Sequence, residues 1–256
     1  MSFLSEIVER KRQRVEALKR TVPFNGFERR SGSHRLRQAL LNDRINIIAE
    51  FKRRSPSKGV IRADADLKQI VKSYEAGGAA AISVLTEEDY FSGSLDDLRT
   101  AKSIIELPVL RKDFIVDDYQ LYESAAAGTD AVLLIVAALE DEKLLSLRRL
   151  AEDELGMDAL IEVHTRGEMQ RAAACGARVI GVNNRNLHTF EVSLETSVSL
   201  AQEAPPDAVL ISESGLNNST DLVRLRDAGY HGFLIGETLM RSENPGAAVR
   251  DLMSMP

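Results

Sequence analysis

With 256 residues, 44% of them hydrophobic and 28% charged, the chain has enough apolar material for a full core and shows no bias toward disorder. A net charge of -6 and a pI near 5.4 give no support to a nucleic-acid surface or an anionic membrane as partner, so any anionic ligand must be held by local groups. Cys175 is the only cysteine, which excludes an intrachain disulfide and a cysteine metal cluster and suits a reducing cytoplasm.

The start, MSFLSEIVERKRQRVEALKR, has no long apolar core and no cleavage site, and no apolar run in the chain is long enough to span a bilayer, so no targeting signal or membrane span is expected. Phe3, Leu4, Ile7, Val8, Val15 and Leu18 instead form one helical stripe, with basic residues elsewhere on the segment. Residues 1–45 are therefore expected to be a helical extension packed to close one end of the fold. FNGFERRSGSHR, with its Ser-Gly-Ser and basic run, suits a mobile connection.

IIAEFKRRSPSKG, from Ile47 to Gly59, begins like a strand buried on both faces yet contains Glu50 and Lys52. Alternation puts Ile48, Glu50 and Lys52 on one face and Ile47, Ala49 and Phe51 on the other. Charges so placed must be paired, lie at a strand end, or serve a function.

A repeat follows. EAGGAAAISVL, AAGTDAVLLIV, ACGARVIGVNN and DAGYHGFLIGE each end a helical stretch at Ala-Gly or Cys-Gly and pass into an apolar run, with Gly77, Gly128, Gly176 and Gly229 at the helix-closing position. About fifty residues separate successive glycines, too many for one βα unit, and a second strand fills each gap: NIIAEF, PVLRKD, DALIEV and AVLISES. Helical spacing of apolar residues marks helices over 117–127, 141–154, 166–175 and 219–228. Eight strands alternating with helices predict an α/β fold, a (βα)8 barrel forming a single domain over residues 1–256 with the N-terminal helical extension before it. An open doubly wound sheet is the rival, but no Gly-rich dinucleotide turn is present.

Glu50 and Lys52, Lys112, Glu162 and Glu213 all lie at or near the C-terminal ends of the odd-numbered strands, and the sixth strand ends in Asn183, Asn184 and Arg185. Alternate barrel strands fill one interior layer, so these groups are expected to converge at the top. A single one would read equally well as a structural ion pair; five together do not. Ser214 and Gly215 follow the seventh strand and Gly236 and Glu237 the eighth, the loops where this fold commonly binds phosphate. A bulky residue at Gly236 is expected mainly to weaken phosphate binding. His34, His164, His188 and His231 are scattered without ligand spacing, read as surface or capping residues, and no metal is expected. The set suits proton transfer on a phosphorylated small molecule, with Lys as acid and Glu as base.

IIAEFKRRSPSKG, LRKDFI, LIEVHT, GVNNRNL, ISESGL and FLIGETLM, in this order on successive strands, closely resemble the indole-3-glycerol-phosphate synthase family. The resemblance covers nearly the whole chain. It implies a carboxy-lyase of tryptophan biosynthesis acting on a sugar phosphate; separately, no cofactor is expected, and a monomer is. It further implies Lys112 as general acid, Lys52 as anion holder and second acid, Glu162 as general base or cation stabiliser, and Glu50 in support. Ser55, Asn183, Arg185 and Glu213 would line the polar site, Phe91, Phe114 and Leu187 the apolar walls, and Pro56 would fix the turn after the first strand. Ser193 stands where the family usually has Asp, and is expected to cap the following helix. A Schiff-base aldolase or isomerase on the same barrel, or a non-catalytic phosphate-ligand sensor, is the alternative.

Overall fold

Strand β1 (Ile47–Phe51) is buried along its whole length and pairs in parallel with both its neighbours, because the sheet to which it belongs closes on itself. The computed structural model describes residues 3–22, 34–187 and 189–254. Of the expected hinge FNGFERRSGSHR, only His34 and Arg35 fall within these ranges; the rest, like His188, lies outside the described residues.

Helices α1 (Phe3–Thr21) and α2 (Arg35–Leu40) precede β1. A hairpin of β2 (Arg54–Ser55) and β3 (Gly59–Val60) follows it, with Pro56 in its turn. The chain then alternates through α3 (Leu67–Gly77), β4 (Ala81–Leu85), α4 (Leu95–Ile104), β5 (Val109–Lys112), α5 (Asp118–Ala126), β6 (Ala131–Ile135) and α6 (Asp141–Arg149). It continues with β7 (Asp158–Val163), α7 (Arg166–Ala174), β8 (Val179–Asn183), α8 (Glu195–Ala201), β9 (Val209–Glu213), α9 (Ser219–Asp227), β10 (Gly232–Ile235), α10 (Glu237–Arg241) and α11 (Pro245–Met253). The eight long strands close in the order β1-β10-β9-β8-β7-β6-β5-β4, all parallel. This is the expected (βα)8 barrel. No described helix is long and apolar enough to cross a membrane.

Local chemistry starts the helices. Asp66, Ser94, Asp117, Thr165, Asn218 and Asn244 each accept a backbone N–H in the first turn of the helix they precede, satisfying donors that have no partner within the helix. Three of the four repeat glycines close helices with positive φ as expected. In the first repeat Gly78 (φ 91°) takes that role. Gly77 is still helical and matters for packing: a Cβ there would lie 2.6 Å from the carbonyl oxygen of Gly246 on α11.

The barrel interior is filled by Ile48, Leu110, Leu133, Leu160, Val179 and Ile211, joined from below by Leu36 and Leu40 of α2. Asp158, the first residue of β7, holds α2 there: its carboxylate accepts the Arg37 N–H (3.0 Å) and faces His34 Nδ1 (3.2 Å). The extension thus closes one end of the barrel, but through α2 and not through the long first helix. Helix α1 packs instead beside α5 and the short 3-10 turn after β6, at the opposite, C-terminal end of the strands.

Candidate active site

Lys112, the last residue of β5, sends its ammonium into the barrel mouth, where it donates to Glu162 (2.8 Å) on β7 and Glu213 (2.9 Å) on β9. All three are buried. Burial opposes the lysine's charge, but Glu162, Glu213 and the more distant Glu50 outweigh it and hold the pKa above the ordinary lysine value. The carboxylates part company. Glu162 is buried too, yet Lys112, His164 and an Asn183 hydrogen bond hold it below the usual carboxylate range. Glu213 is pushed up to about 7, because burial together with the charges of Glu162 and Glu50 exceeds the help it receives from Lys112. One ammonium cannot neutralise two carboxylates, so Glu213 is the member of the cluster that takes up a proton more readily.

Glu50 and Lys52 pair directly, Nζ to Oε1, with the Glu50 side chain 4% and the Lys52 side chain 18% exposed. Two glycines make room for the acids. A Cβ on Gly181 would strike Glu213 Oε1, and one on Gly236 would strike Glu50 Oε1 and come within 3.1 Å of Glu50 Cβ. A side chain at Gly236 thus has a second effect beside the one expected on phosphate: it meets the Glu50 side chain. Gly236→Ala is expected to lower turnover at least ~10-fold by moving Glu50 off Lys52. Steady-state kinetics check this, and a change confined to substrate affinity would restore the simpler phosphate role.

A cavity of about 540 Å³ opens above these groups. Every residue expected in the site lines it: Glu50, Lys52, Ser55, Pro56, Phe91, Lys112, Phe114, Glu162, Asn183, Arg185, Leu187, Glu213, Ser214, Gly215, Gly236 and Glu237. Phe91 and Phe114 face each other at 6.2 Å between ring centroids and form an apolar wall. Asn183 accepts the Arg185 N–H (3.0 Å), and Arg185 Nη1 donates to the Phe190 carbonyl (3.1 Å). Ser214 and Gly215 turn the chain after β9 with φ of 70° and 80°, opposite Gly236 and Glu237 at the start of α10. The Glu237 carboxylate faces Lys58 (3.7 Å) and Arg241 (3.0 Å).

Five features lie outside the sequence expectations. Lys11 does not sit among the exposed basic residues of α1; it is buried in line with Ile7 and Val15 and pairs with Asp113 (2.8 Å), the residue after Lys112. Lys11 and Arg111 hold Asp113 well below the usual carboxylate range despite its burial. Glu87, after β4, is buried and accepts the N–H groups of Asp89, Tyr90 and Phe91, fixing the loop that carries the Phe91 wall. His164 is not a surface residue: its side chain is 9% exposed and lies between Glu162 and Glu168. Phe3 and Leu4 of α1 also line the cavity. Ser193, finally, caps nothing; Leu194 holds the N-cap position of α8, with no side-chain cap bond.

Comparisons with known proteins agree with one another. A sequence model described as Indole-3-glycerol phosphate synthase matches residues 4–252. Among curated relatives, the indole-3-glycerol phosphate synthase of Bacteroides thetaiotaomicron is 46% identical over 255 residues, covering 98% of this chain and 97% of that protein. That of Carboxydothermus hydrogenoformans is 44% identical over 266 residues, covering 98% and 100%. A solved structure, 3-hexulose-6-phosphate synthase from Salmonella typhimurium, matches with a TM-score of 0.65 at 13% identity, covering 82% of this chain and 97% of that one; at such identity the likeness concerns the fold alone. Identity in the mid-forties over nearly the full length of both partners, with the family model spanning the same residues, means that the chain belongs to the indole-3-glycerol phosphate synthase family.

Proposed function

We propose that the chain carries out its family's reaction, converting 1-(2-carboxyphenylamino)-1-deoxyribulose 5-phosphate to indole-3-glycerol phosphate with loss of carbon dioxide and water, and that Lys112 is the general acid of ring closure. The observation that carries the assignment of Lys112 is its ammonium, buried at the cavity floor between Glu162 and Glu213. Attack of the aryl carbon on the ketone builds negative charge on oxygen and positive charge in the ring, and an ammonium beside a carboxylate stabilises both ends of that transition state. An alkoxide is a far stronger base than either carboxylate, so it takes the Lys112 ammonium proton that Glu162 and Glu213 only accept in a hydrogen bond.

Proton counting supports the remaining roles. The ketone oxygen gains a proton on ring closure and another as it leaves as water, while the methylene carbon beside nitrogen loses one. Two acids and one base are needed. Lys112 and Lys52 supply the acids and Glu162 the base, which also balances positive charge on the anilino nitrogen. Glu50 holds Lys52 in place. Phe91, Phe114 and Leu187 receive the aromatic ring, Ser55, Asn183, Arg185 and Glu213 the polar groups, and the corner at Ser214, Gly215, Gly236 and Glu237 the phosphate.

Lys112 is held in its ammonium form, which opposes its use as a Schiff-base nucleophile. Borohydride added with substrate is accordingly expected to trap no adduct, and product is expected to accumulate as indole fluorescence from the carboxyphenylamino sugar. A trapped lysine adduct, or no indole product, would reject the reading.

A further inference from the structure

We infer that His164 is a positioning residue for the ring-closing reaction: clamped by Glu168, it presents Nε2 to the second oxygen of Glu162, the one that does not bind Lys112, and keeps that carboxylate ionised and aimed. The inference rests on Glu162 being the base of the reaction.

The residues form a line. Glu162 Oε2 binds Lys112 at 2.8 Å, and its other oxygen, Oε1, lies 3.4 Å from His164 Nε2. Nε2 is buried and has no hydrogen-bond partner in this arrangement, so nothing competes with Glu162 for it. On the far side, Glu168 Oε2 takes both the backbone N–H of His164 (2.8 Å) and its Nδ1 (3.1 Å). Glu168 is itself fixed in the first turn of α7, where its N–H donates to the Thr165 hydroxyl (3.2 Å). This is a capping box shifted back by one residue, with the glutamate reaching the N–H that precedes the cap.

Chemistry decides what the ring must carry. With Nδ1–H committed to Glu168, a neutral imidazole would turn a lone pair at Nε2 toward the Glu162 carboxylate. Protonation at Nε2 removes that repulsion and completes a carboxylate–imidazolium–carboxylate arrangement. The ionisable groups facing the ring are Glu162 on its own strand, Glu168 on α7 and, farther away, Glu213 on β9, all of them acids; Lys112 lies on the opposite side of Glu162. A cation here lowers the cost of a charged Glu162 in a buried place, as the base of the reaction requires, without touching substrate. His164 does not line the cavity.

The test is the pH profile of kcat/KM, whose acid limb reports ionisation of the base in the free enzyme. His164→Gln keeps a polar side chain but removes the cation, so the acid limb is expected to move up by about one pH unit, with at least ~10-fold loss of kcat/KM below that limb. Glu168→Gln frees the ring from the rim of the barrel and should move the limb in the same direction by less. Because Glu168 acts only through His164, the double variant should behave like His164→Gln alone. Should His164→Gln not fold, Glu168→Gln carries the same test. An acid limb unmoved in the variants that fold, or fully additive effects in the double variant, would overturn the inference. Glu162→Gln separates this from the reading on which it rests. If that change leaves turnover and the acid limb intact, Glu162 is not the base; if it abolishes both while the His164 and Glu168 variants keep the normal limb, only the role of His164 is lost.

Discussion

Lys112→Met is expected to lower turnover by ~100- to 10,000-fold while the cavity still binds a phosphate-bearing ligand. Its ammonium lies buried between Glu162 and Glu213, and both of these contacts are carboxyl groups. Removal also leaves Glu162 and Glu213 buried without their cation, for which the expected cost at neutral pH is about 3 to 5 kcal/mol. Deprived of Lys112, the two acids favour their protonated forms in the fold, so the folded state binds more protons than the unfolded chain between the ordinary carboxylate range and the raised one. Stability should then be best in mild acid and fall as pH rises through that window. Turnover by indole fluorescence and denaturant unfolding at two pH values measure both effects. Near-normal turnover would remove Lys112 from the chemistry, and a variant equally stable at both pH values would mean that water or another cation already serves the two acids.

The pair Glu50 and Lys52 gives the second large effect. Exchanging both for apolar residues of similar size, Glu50→Leu with Lys52→Met, should abolish activity yet leave the protein as stable or more stable by about 1 to 4 kcal/mol, since a buried ion pair is often neutral or worse than a hydrophobic replacement. Lys52→Met alone should behave differently. Glu50 is buried while Lys52 retains some contact with solvent, so the single change strands the less exposed partner, at a cost that approaches 3 to 5 kcal/mol only to the extent that water fails to reach it. Unfolding of the single and double variants beside turnover distinguishes these outcomes. A double variant markedly less stable than the parent would show that the pair holds the barrel together, and the view that it exists for chemistry would fall.

Charge interrupting an aliphatic strand is a clear signal, and Glu50, Lys112, Glu162 and Glu213 converge because parallel barrel strands turn alternate residues inward in register. Their meeting was legible for that reason, as was the glycine-punctuated alternation of helix and strand. His164 carried a usable signal as well. It shares strand parity with Glu162, and Glu168 follows one helical turn later, but a search for metal-ligand spacing passes over both. Leu36 and Leu40 are likewise one turn apart, in a segment whose Ser-Gly-Ser composition draws attention elsewhere. Lys11 is different. A lysine aligned with Ile7 and Val15 reads as the edge of an amphipathic stripe, and only the fold brings it to Asp113, far along the chain. Long-range pairing of this kind has no local trace.

That pairing bears on how the extension can be exchanged. Helix α1 is keyed to the barrel by a buried charge and not only by grease, and the lock, Asp113, is chain neighbour to Lys112 and accepts the Phe114 N–H on its carboxylate (2.8 Å). A chimera that transplants residues 1–22 from a relative lacking a cation at the Lys11 position would inherit a mismatched key, however well its apolar stripe fits. Successful grafts should therefore be those that carry the lysine with the helix, or that neutralise Asp113 in the recipient barrel.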